Sequence, residues 1–430
     1  MIDVVVYSLG CKTNQYEGEA LISEFGKMGI RASDRVQLAN IYIVNTCSVT
    51  VEADRKSRQF CRRVKAINPD AFVYVCGCAV ADCKTDCFAE CRVIAGAMDK
   101  SKIVQYIVDN HQLSTVHSAT NAPLNTTLAC QSCNVCDIAS RTRFVHNTTK
   151  MARKYIKIQD GCNDFCSFCI IPYLRGRSRS RHIQDIVDEI ANTNVNEIVL
   201  TGINITAYGR DNNTTLHQLV DNIDTHARIR MSSIECNAIT WELLDAMIRK
   251  DACNHWHLSL QSGSDRVLRA MNRKYTKLEF EDKVQLIRSM MGEDTAITTD
   301  IIVGYPTETE RDFVETLDIV DRVAFADVHA FKYSPRPKTV AARLPQLASD
   351  IIDDRFERLR QRIQFNKSKF LQGQVGRQHQ VVFEKTTQGQ TPTGYTRNYC
   401  KVECDDALPN TMCNILATHL QGDILIGKLI

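Results

Sequence analysis

The sequence has no uninterrupted apolar run of about 18 residues, which argues against a membrane-spanning helix. It also lacks a strong charge of either sign: 53 basic against 50 acidic side chains leave a net charge of +3. That balance suits a soluble globular chain and does not by itself announce a nucleic-acid partner. The opening stretch MIDVVVYSLGCKTNQ has neither the basic segment nor the small-residue cleavage site of a signal peptide, and reads as a first strand. Cysteine, by contrast, is plentiful, with 19 in 430 residues. Without an export signal a disulfide framework is not expected; in a reducing cytoplasm, the expected location, clustered cysteines point to metal or redox chemistry. The length predicts two or three domains.

Short β-branched strings alternate with helix-like segments through the first hundred residues. Strands are expected at 3–10 (DVVVYSLG), 41–47 (IYIVNTC) and 72–78 (FVYVCGC), with helices near 16–28 and 53–66. This is the βαβ alternation of a parallel sheet. Cys11, Cys47 and Cys78 each fall at or just beyond the C-terminal end of one strand. In an open parallel sheet those ends share one edge, so the three are expected to converge there. Residues 112–150 are polar and weakly periodic and read as a linker.

From residue 155 the alternation resumes in longer units. Six candidate strands, at 155–159, 197–204, 228–235, 256–264, 296–306 and 327–335, predict a (β/α) barrel or part of one. A basic helix is expected over 354–370, with Phe356, Leu359 and Ile363 on one face. The tail from about 380 reads as a small all-β module.

The string QDGCNDFCSFCIIPYLRGRSRSR, residues 159–181, places Cys162, Cys166 and Cys169 in a C-x3-C-x2-C run directly after the first barrel strand. Three thiolates on a four-iron cluster leave one iron open to a cofactor or substrate. Three ligands also fit a catalytic zinc, although zinc motifs more often come as CxxC pairs, and no second pair or HxxxH lies nearby. The bland alternative is three buried cysteines filling core space.

The run, placed after the first strand of a (β/α) barrel, resembles the radical S-adenosylmethionine enzymes. The strings SLGCKTNQYEGE (8–19), VNTCSVT (44–50), VCGC (75–78), LQSGSDRVLRAMNRKYT (260–276), TDIIVGYPTETE (299–310) and YSPRPKT (333–339) resemble, in order and spacing, the methylthiotransferases of that superfamily over nearly the whole chain. GYTRNYCKV (394–402) is similar to part of the small TRAM β-barrel of that family. Within the family, CKTNQYE, NTCSVT and YTRNY look most like the MtaB-type enzymes, which add a methylthio group to C2 of N6-threonylcarbamoyladenosine next to the tRNA anticodon. The resemblance implies an α/β protein with an N-terminal parallel-sheet domain at 1–111, the linker at 112–150, a radical-SAM (β/α) partial barrel with trailing helix at 151–375, and a TRAM-like domain at 376–430. It implies two [4Fe–4S] clusters, one on Cys162, Cys166 and Cys169 and an auxiliary one on Cys11, Cys47 and Cys78, with S-adenosyl-L-methionine as cofactor. Gly202, Glu235 and Gln261 are the candidate residues around that cofactor, and Asp300 and Tyr333 are similarly placed. The implied partners are tRNA, a reductase such as flavodoxin or ferredoxin, and a sulfur donor, with no membrane.

Between Arg141 and Arg181 there are ten Lys/Arg and only two acids, and Arg175, Arg177, Arg179 and Arg181 alternate with small residues. They are the candidate phosphate-binding rim, against the alternatives of a solvated loop or of arginines paired with barrel carboxylates. The tail from residue 380 has four basic and five acidic residues, so its charge does not favour RNA. Cys130, Cys133 and Cys136 stand at CxxCxxC spacing in the linker, as a second metal or sulfur-relay site or as incidental residues. Cys83, Cys87 and Cys91 recur at i, i+4, i+8 and read as one packed helix face. Lys338 stands where the family often has glycine. Rival functions are the same chemistry on isopentenyladenosine or on a ribosomal-protein aspartate, or a non-enzymatic iron–sulfur carrier or RNA-binding protein.

Overall fold

A computed structural model describes residues 3–82, 88, 91–95, 100–111, 151–384 and 390–430. The segment expected as a linker, with Cys130, Cys133 and Cys136, lies outside these residues, as do Cys83 and Cys87. The chain forms two compact units. The first comprises Met1–Asn147, Asp160–Asn163 and Cys169–Asp185, and the second Thr148–Gln159, Asp164–Phe168 and Ile186–Ile430.

In the first unit, strands β1 (Asp3–Ser8), β2 (Arg31–Ser33), β3 (Ile41–Thr46), β4 (Phe72–Gly77) and β5 (Arg92–Ala95) pair in parallel in the order 2-1-3-4-5. Helices α1 (Lys12–Lys27), α2 (Val51–Ile67), α3 (Cys78–Asp82) and α4 (Ile103–His111) intervene. The strands are apolar on both faces because both are covered. Val5, Tyr42, Val44, Val73 and Val75 pack with Phe60 and Val64 of α2, while Val4, Val6, Ile41 and Ile43 pack with Leu21, Phe25, Ile103 and Ile107 of α1 and α4. Thr50 starts α2 by accepting the Ala53 amide at 3.2 Å, and Glu52 and Asp54 in the first turn suit the helix dipole. Cys91, expected on a helix face, instead lies in a bend leading into β5, where its thiol meets that of Cys61. The apolar Val93 and Ile94 draw this stretch into the sheet instead. The unit also holds the short helix α5 (Ile171–Arg175) and the two-residue strand β7 (Arg179–Ser180).

The second unit is built on six parallel strands: β6 (Met151–Asp160), β8 (Val195–Gly202), β9 (Arg228–Met231), β10 (His255–His257), β11 (Ala296–Val303) and β12 (Asp327–Lys332). β6, β8 and β9 pair in that order, as do β10, β11 and β12, and an isolated parallel bridge, Ile234 with Leu258, links the two sets. Helices α6 (Ile183–Ala191), α7 (Leu216–Asn222), α8 (Trp241–Arg249), α9 (Asp265–Ala270), α10 (Lys277–Met291) and α11 (Glu310–Val323) complete the alternation. Thr215, Thr276 and Thr309 each open a helix with a reciprocal capping box, which fixes where a strand-to-helix loop ends. The trailing helix α12 (Ser349–Gln372) starts ahead of the expected 354 and buries Leu359, Ile363 and Leu371.

The tail is a closed five-stranded barrel of β13 (Gln378–Phe383), β14 (Thr393–Thr396), β15 (Lys401–Glu403), β16 (Met412–Gln421) and β17 (Ile424–Leu429), filled by Val381, Phe383, Val402, Ile415 and Leu425. A buried cluster of one carboxylate and three arginines is among its attachments to the parallel strands. Fully buried Glu197 on β8 accepts from Arg228 at 2.6 Å and Arg230 at 2.8 Å and is paired with Arg153. The same Arg228 and Arg230 guanidiniums donate to the carbonyls of Gln380, Tyr395, Thr396 and Arg397. Burial alone would protonate Glu197, but the three arginines hold its carboxyl far below the usual range. Arg230 also lies 4.7 Å over the ring of Tyr399. The TRNY residues are therefore docking residues of this unit.

Candidate functional site

In the first unit the order 2-1-3-4-5 reverses direction between β1 and β3, the position where open α/β sheets bind ligands. Cys11 caps α1 just beyond β1, Cys47 follows β3, and Cys78 opens α3 directly after β4. Gly10 and Gly77 make the sharp turns with φ of +90° and +97°. A Cβ on Gly10 would stand 2.4 Å from the Cys47 Sγ, and one on Gly77 2.5 Å from the Thr46 carbonyl oxygen. Only glycine brings these strand ends so close. Burial pushes the Cys47 thiol up to about 11, and the neighbouring thiols of Cys11 and Cys78 push in the same direction. The three predicted cysteines thus converge. A thiol so reluctant to ionise becomes a thiolate when a metal takes the place of its proton. Three converging thiols fit the soft donor set of an iron–sulfur centre.

Behind them lies a buried polar network. Arg175 donates to Glu17 at 2.7 Å and to Asn14 at 2.6 Å, and reaches Asp160 at 3.3 Å. Lys100 donates to Asn45 at 2.6 Å and pairs with Glu17. Asn14 in turn donates to the Leu9 and Thr46 carbonyls, fixing the ends of β1 and β3. The Arg175 cation acts electrostatically on Cys11 and Cys78. This corrects the expected rim. Arg175 is 1% exposed and Arg181 6%, the latter directed to the Tyr16 hydroxyl and the Asp185 carbonyl, so neither faces a phosphate backbone. Arg177 is exposed and Arg179 partly so, and they are what remains of the rim.

Cys162, Cys166 and Cys169 lie in one eight-residue stretch after β6. In the first unit, Gly161 turns with φ +71° where a Cβ would stand 2.0 Å from the Arg177 carbonyl, and the Cys162 amide donates to Gly176 at 3.1 Å. In the second unit, Cys166 receives Arg273 Nη1 at 3.3 Å, and the same nitrogen pairs with Glu235 at 2.9 Å. Burial raises the Cys166 thiol and Arg273 opposes it. The MNRKY segment secures residues 164–168. Ser167 N–H donates to Met271, Asn272 donates to the Asp164 carbonyl at 2.9 Å, and Phe168 packs on Val267, Met271, Tyr305 and Tyr333. Ala341 N–H donates to the Ser167 carbonyl from the other side. The loop leading to it includes Lys338 at φ +72°, a conformation natural to glycine.

The remaining candidates fall around the ends of the parallel strands. Gly202 ends β8, where a Cβ would meet the Gln159 carbonyl at 2.8 Å, so close strand packing already accounts for it. Glu235 is held by Arg273; burial raises its carboxyl and the cation counters. Gln261 adopts φ +73°, and its amide donates to Asp300 at 2.8 Å. Asp300 contacts His257 and His329, and Tyr333 belongs to the Phe168 core. Arg273 and the two histidines were not singled out from sequence. Arg273 had a signal, its place in the quoted MNRKYT string.

Three comparisons bear on this arrangement. The family model described as the Radical SAM superfamily matches residues 156–320, and the uncharacterized protein family UPF0004 matches residues 3–98. A threonylcarbamoyladenosine tRNA methylthiotransferase MtaB from Bacillus subtilis is 34% identical over 423 residues, covering 94% of this chain and 90% of the relative. A tRNA-2-methylthio-N(6)-dimethylallyladenosine synthase from a Thermoanaerobacter species is 32% identical, covering 99% and 92%. Among solved structures, the radical S-adenosylmethionine methyltransferase TsrM from Kitasatospora setae superposes with a TM-score of 0.55 at 12% identity, covering 79% of this chain and 76% of that one. That likeness is one of fold.

Proposed function

The chain belongs to the radical S-adenosylmethionine methylthiotransferases, and we propose on that premise that it installs a methylthio group at C2 of N6-threonylcarbamoyladenosine in tRNA. The observation that carries the reading is the convergence of Cys11, Cys47 and Cys78 at the switch point of a sheet, in a chain that also holds the C-x3-C-x2-C loop. Cys162, Cys166 and Cys169 would hold one four-iron cluster, and Cys11, Cys47 and Cys78 the other. When bound, these groups supply an electron for reductive cleavage of S-adenosylmethionine and a site for the transferred sulfur.

The chain's own residues prepare both sites. Arg273 holds Cys166 and Glu235 on one guanidinium, and its charge offsets part of the burial that raises the Cys166 thiol. Arg175 brings a fixed positive charge beside Cys11 and Cys78, and Glu17, Asn14 and Asp160 keep it in place. Gly202, Glu235 and Gln261 would border the cofactor, and Arg177 and Arg179 would meet tRNA phosphates. A reductase and a sulfur donor complete the reaction.

A second reading, methylthiolation of dimethylallyladenosine, is favoured by the Thermoanaerobacter relative of similar identity. Mass spectrometry of tRNA nucleosides from a host lacking its own enzyme separates them. We expect 2-methylthio-N6-threonylcarbamoyladenosine with the gene and none with Cys162→Ala. A rise in the dimethylallyl product instead would overturn the substrate and keep the chemistry.

A further inference from the structure

We infer that His257, Asp300 and His329 form a binding site for one divalent transition-metal ion, built without any cysteine. The sheet register assembles it. His257 at the end of β10 lies opposite Thr298 on β11, and Asp300, two residues further along β11, lies opposite His329 on β12. Residues two apart on a strand share a face, so three neighbouring strands present these side chains together. His257 Nε2 lies 3.1 Å from Asp300 Oδ2, and His329 Nδ1 lies 3.3 Å from Asp300 Oδ1. One ligand atom from each of the three residues falls within 4.8 Å of both others.

Those separations are longer than the roughly 2.7–2.9 Å of charge-assisted hydrogen bonds. Each, made to a different oxygen of Asp300, is close to the edge of about 3.3 Å between donor atoms held about 2.0–2.1 Å from a tetrahedral metal. The other nitrogen of His257, Nδ1, lies 3.0 Å from Thr298 Oγ1, a hydroxyl that also lies 3.0 Å from His255 Nε2 and so orients both rings. With the proton on Nδ1, Nε2 presents a lone pair beside the Asp300 carboxylate, an arrangement that a cation completes; with the proton on Nε2 the same contact is a hydrogen bond. A hydroxyl in that outer position is how proteins fix the tautomer of a ligating imidazole. His257 is buried, whereas the His329 side chain is 58% exposed, so the site is anchored on one side and open to solvent on the other. Two imidazoles and a carboxylate favour zinc, iron(II) or manganese over calcium or magnesium.

The test uses the full chain with its clusters filled, washed anaerobically with a chelator and then equilibrated with excess Zn2+, freed of unbound ion and analysed for zinc and iron. In parallel, Mn2+ is titrated and read by loss of the free-ion electron paramagnetic resonance signal. The expected result is one zinc per chain beyond the iron. Loss of affinity should be at least tenfold in the exposed variant His329→Ala and in Asp300→Asn, with iron content unchanged. Thr298→Val should weaken binding by about tenfold to a hundredfold. No zinc above background, with Mn2+ remaining free, would overturn the site and leave a proton as the cation between His257 and Asp300. Zinc retained equally by wild type, His329→Ala and Asp300→Asn would also overturn it, by placing the ion on cysteines.

Discussion

The two sets of cysteines are built by opposite routes. Cys162, Cys166 and Cys169 come from one short stretch of eight residues, so chain connectivity already keeps them near one another. Cys11, Cys47 and Cys78 come from the ends of three strands, and only the folded sheet assembles them. A contiguous set tolerates local strain in the fold, whereas a dispersed set depends on every turn that feeds it. The sharp glycines show this: Gly10 and Gly77 leave no room for a single methyl group beside the partner strand.

The largest expected effect separates the two sets by function. Cys162→Ala should reduce 5′-deoxyadenosine formation to background, and iron should fall from about eight to about four per chain. Cys47→Ala should lose a similar amount of iron and all methylthio product, yet still form 5′-deoxyadenosine. If both variants lost cleavage equally, the division of labour proposed here would be wrong. Next comes Gly10→Ala, which alters no ligand. The strained φ and the clash with Cys47 should destabilise the first unit by about 1–3 kcal/mol and lower iron as Cys47→Ala does. No comparable loss of iron should follow from a surface change such as Arg177→Ala. Arg273→Lys should retain charge but lose the planar fork, lowering cleavage of S-adenosylmethionine and shifting the spectroscopic signature of the contiguous cluster only. An altered signature of the dispersed cluster would contradict that assignment. The smallest effect is Lys338→Gly, which relieves a left-handed backbone and should stabilise the second unit by about 1 kcal/mol in denaturant unfolding, with both clusters unchanged.

The contrast also explains what the sequence made legible. The contiguous run could be read directly. The dispersed set could be read because β-branched strings ending in Gly-Cys or Thr-Cys mark strand ends, and parallel strands place those ends on one edge. Charge was visible but burial was not, so Arg175 and Arg181 resembled Arg177 and Arg179 until Glu17 and Tyr16 were found beside them. Cys91 fitted a helical spacing that the neighbouring β-branched residues overruled. His257, Asp300 and His329 had no common motif, since their meeting depends on strand register. The all-β nature of the tail was legible from its short strands, but its attachment was not, because nothing in the sequence of β8 marks Glu197 as the partner of arginines on other strands.

That attachment has a consequence for how the molecule comes apart. Pulling the terminal barrel away would strip Arg228 and Arg230 of the Gln380, Tyr395, Thr396 and Arg397 carbonyls while leaving both paired with Glu197. Separation would give up four charge-assisted hydrogen bonds at once, which couples the barrel to the strands. The terminal barrel and the parallel strands are therefore expected to unfold together, which a single calorimetric transition would check.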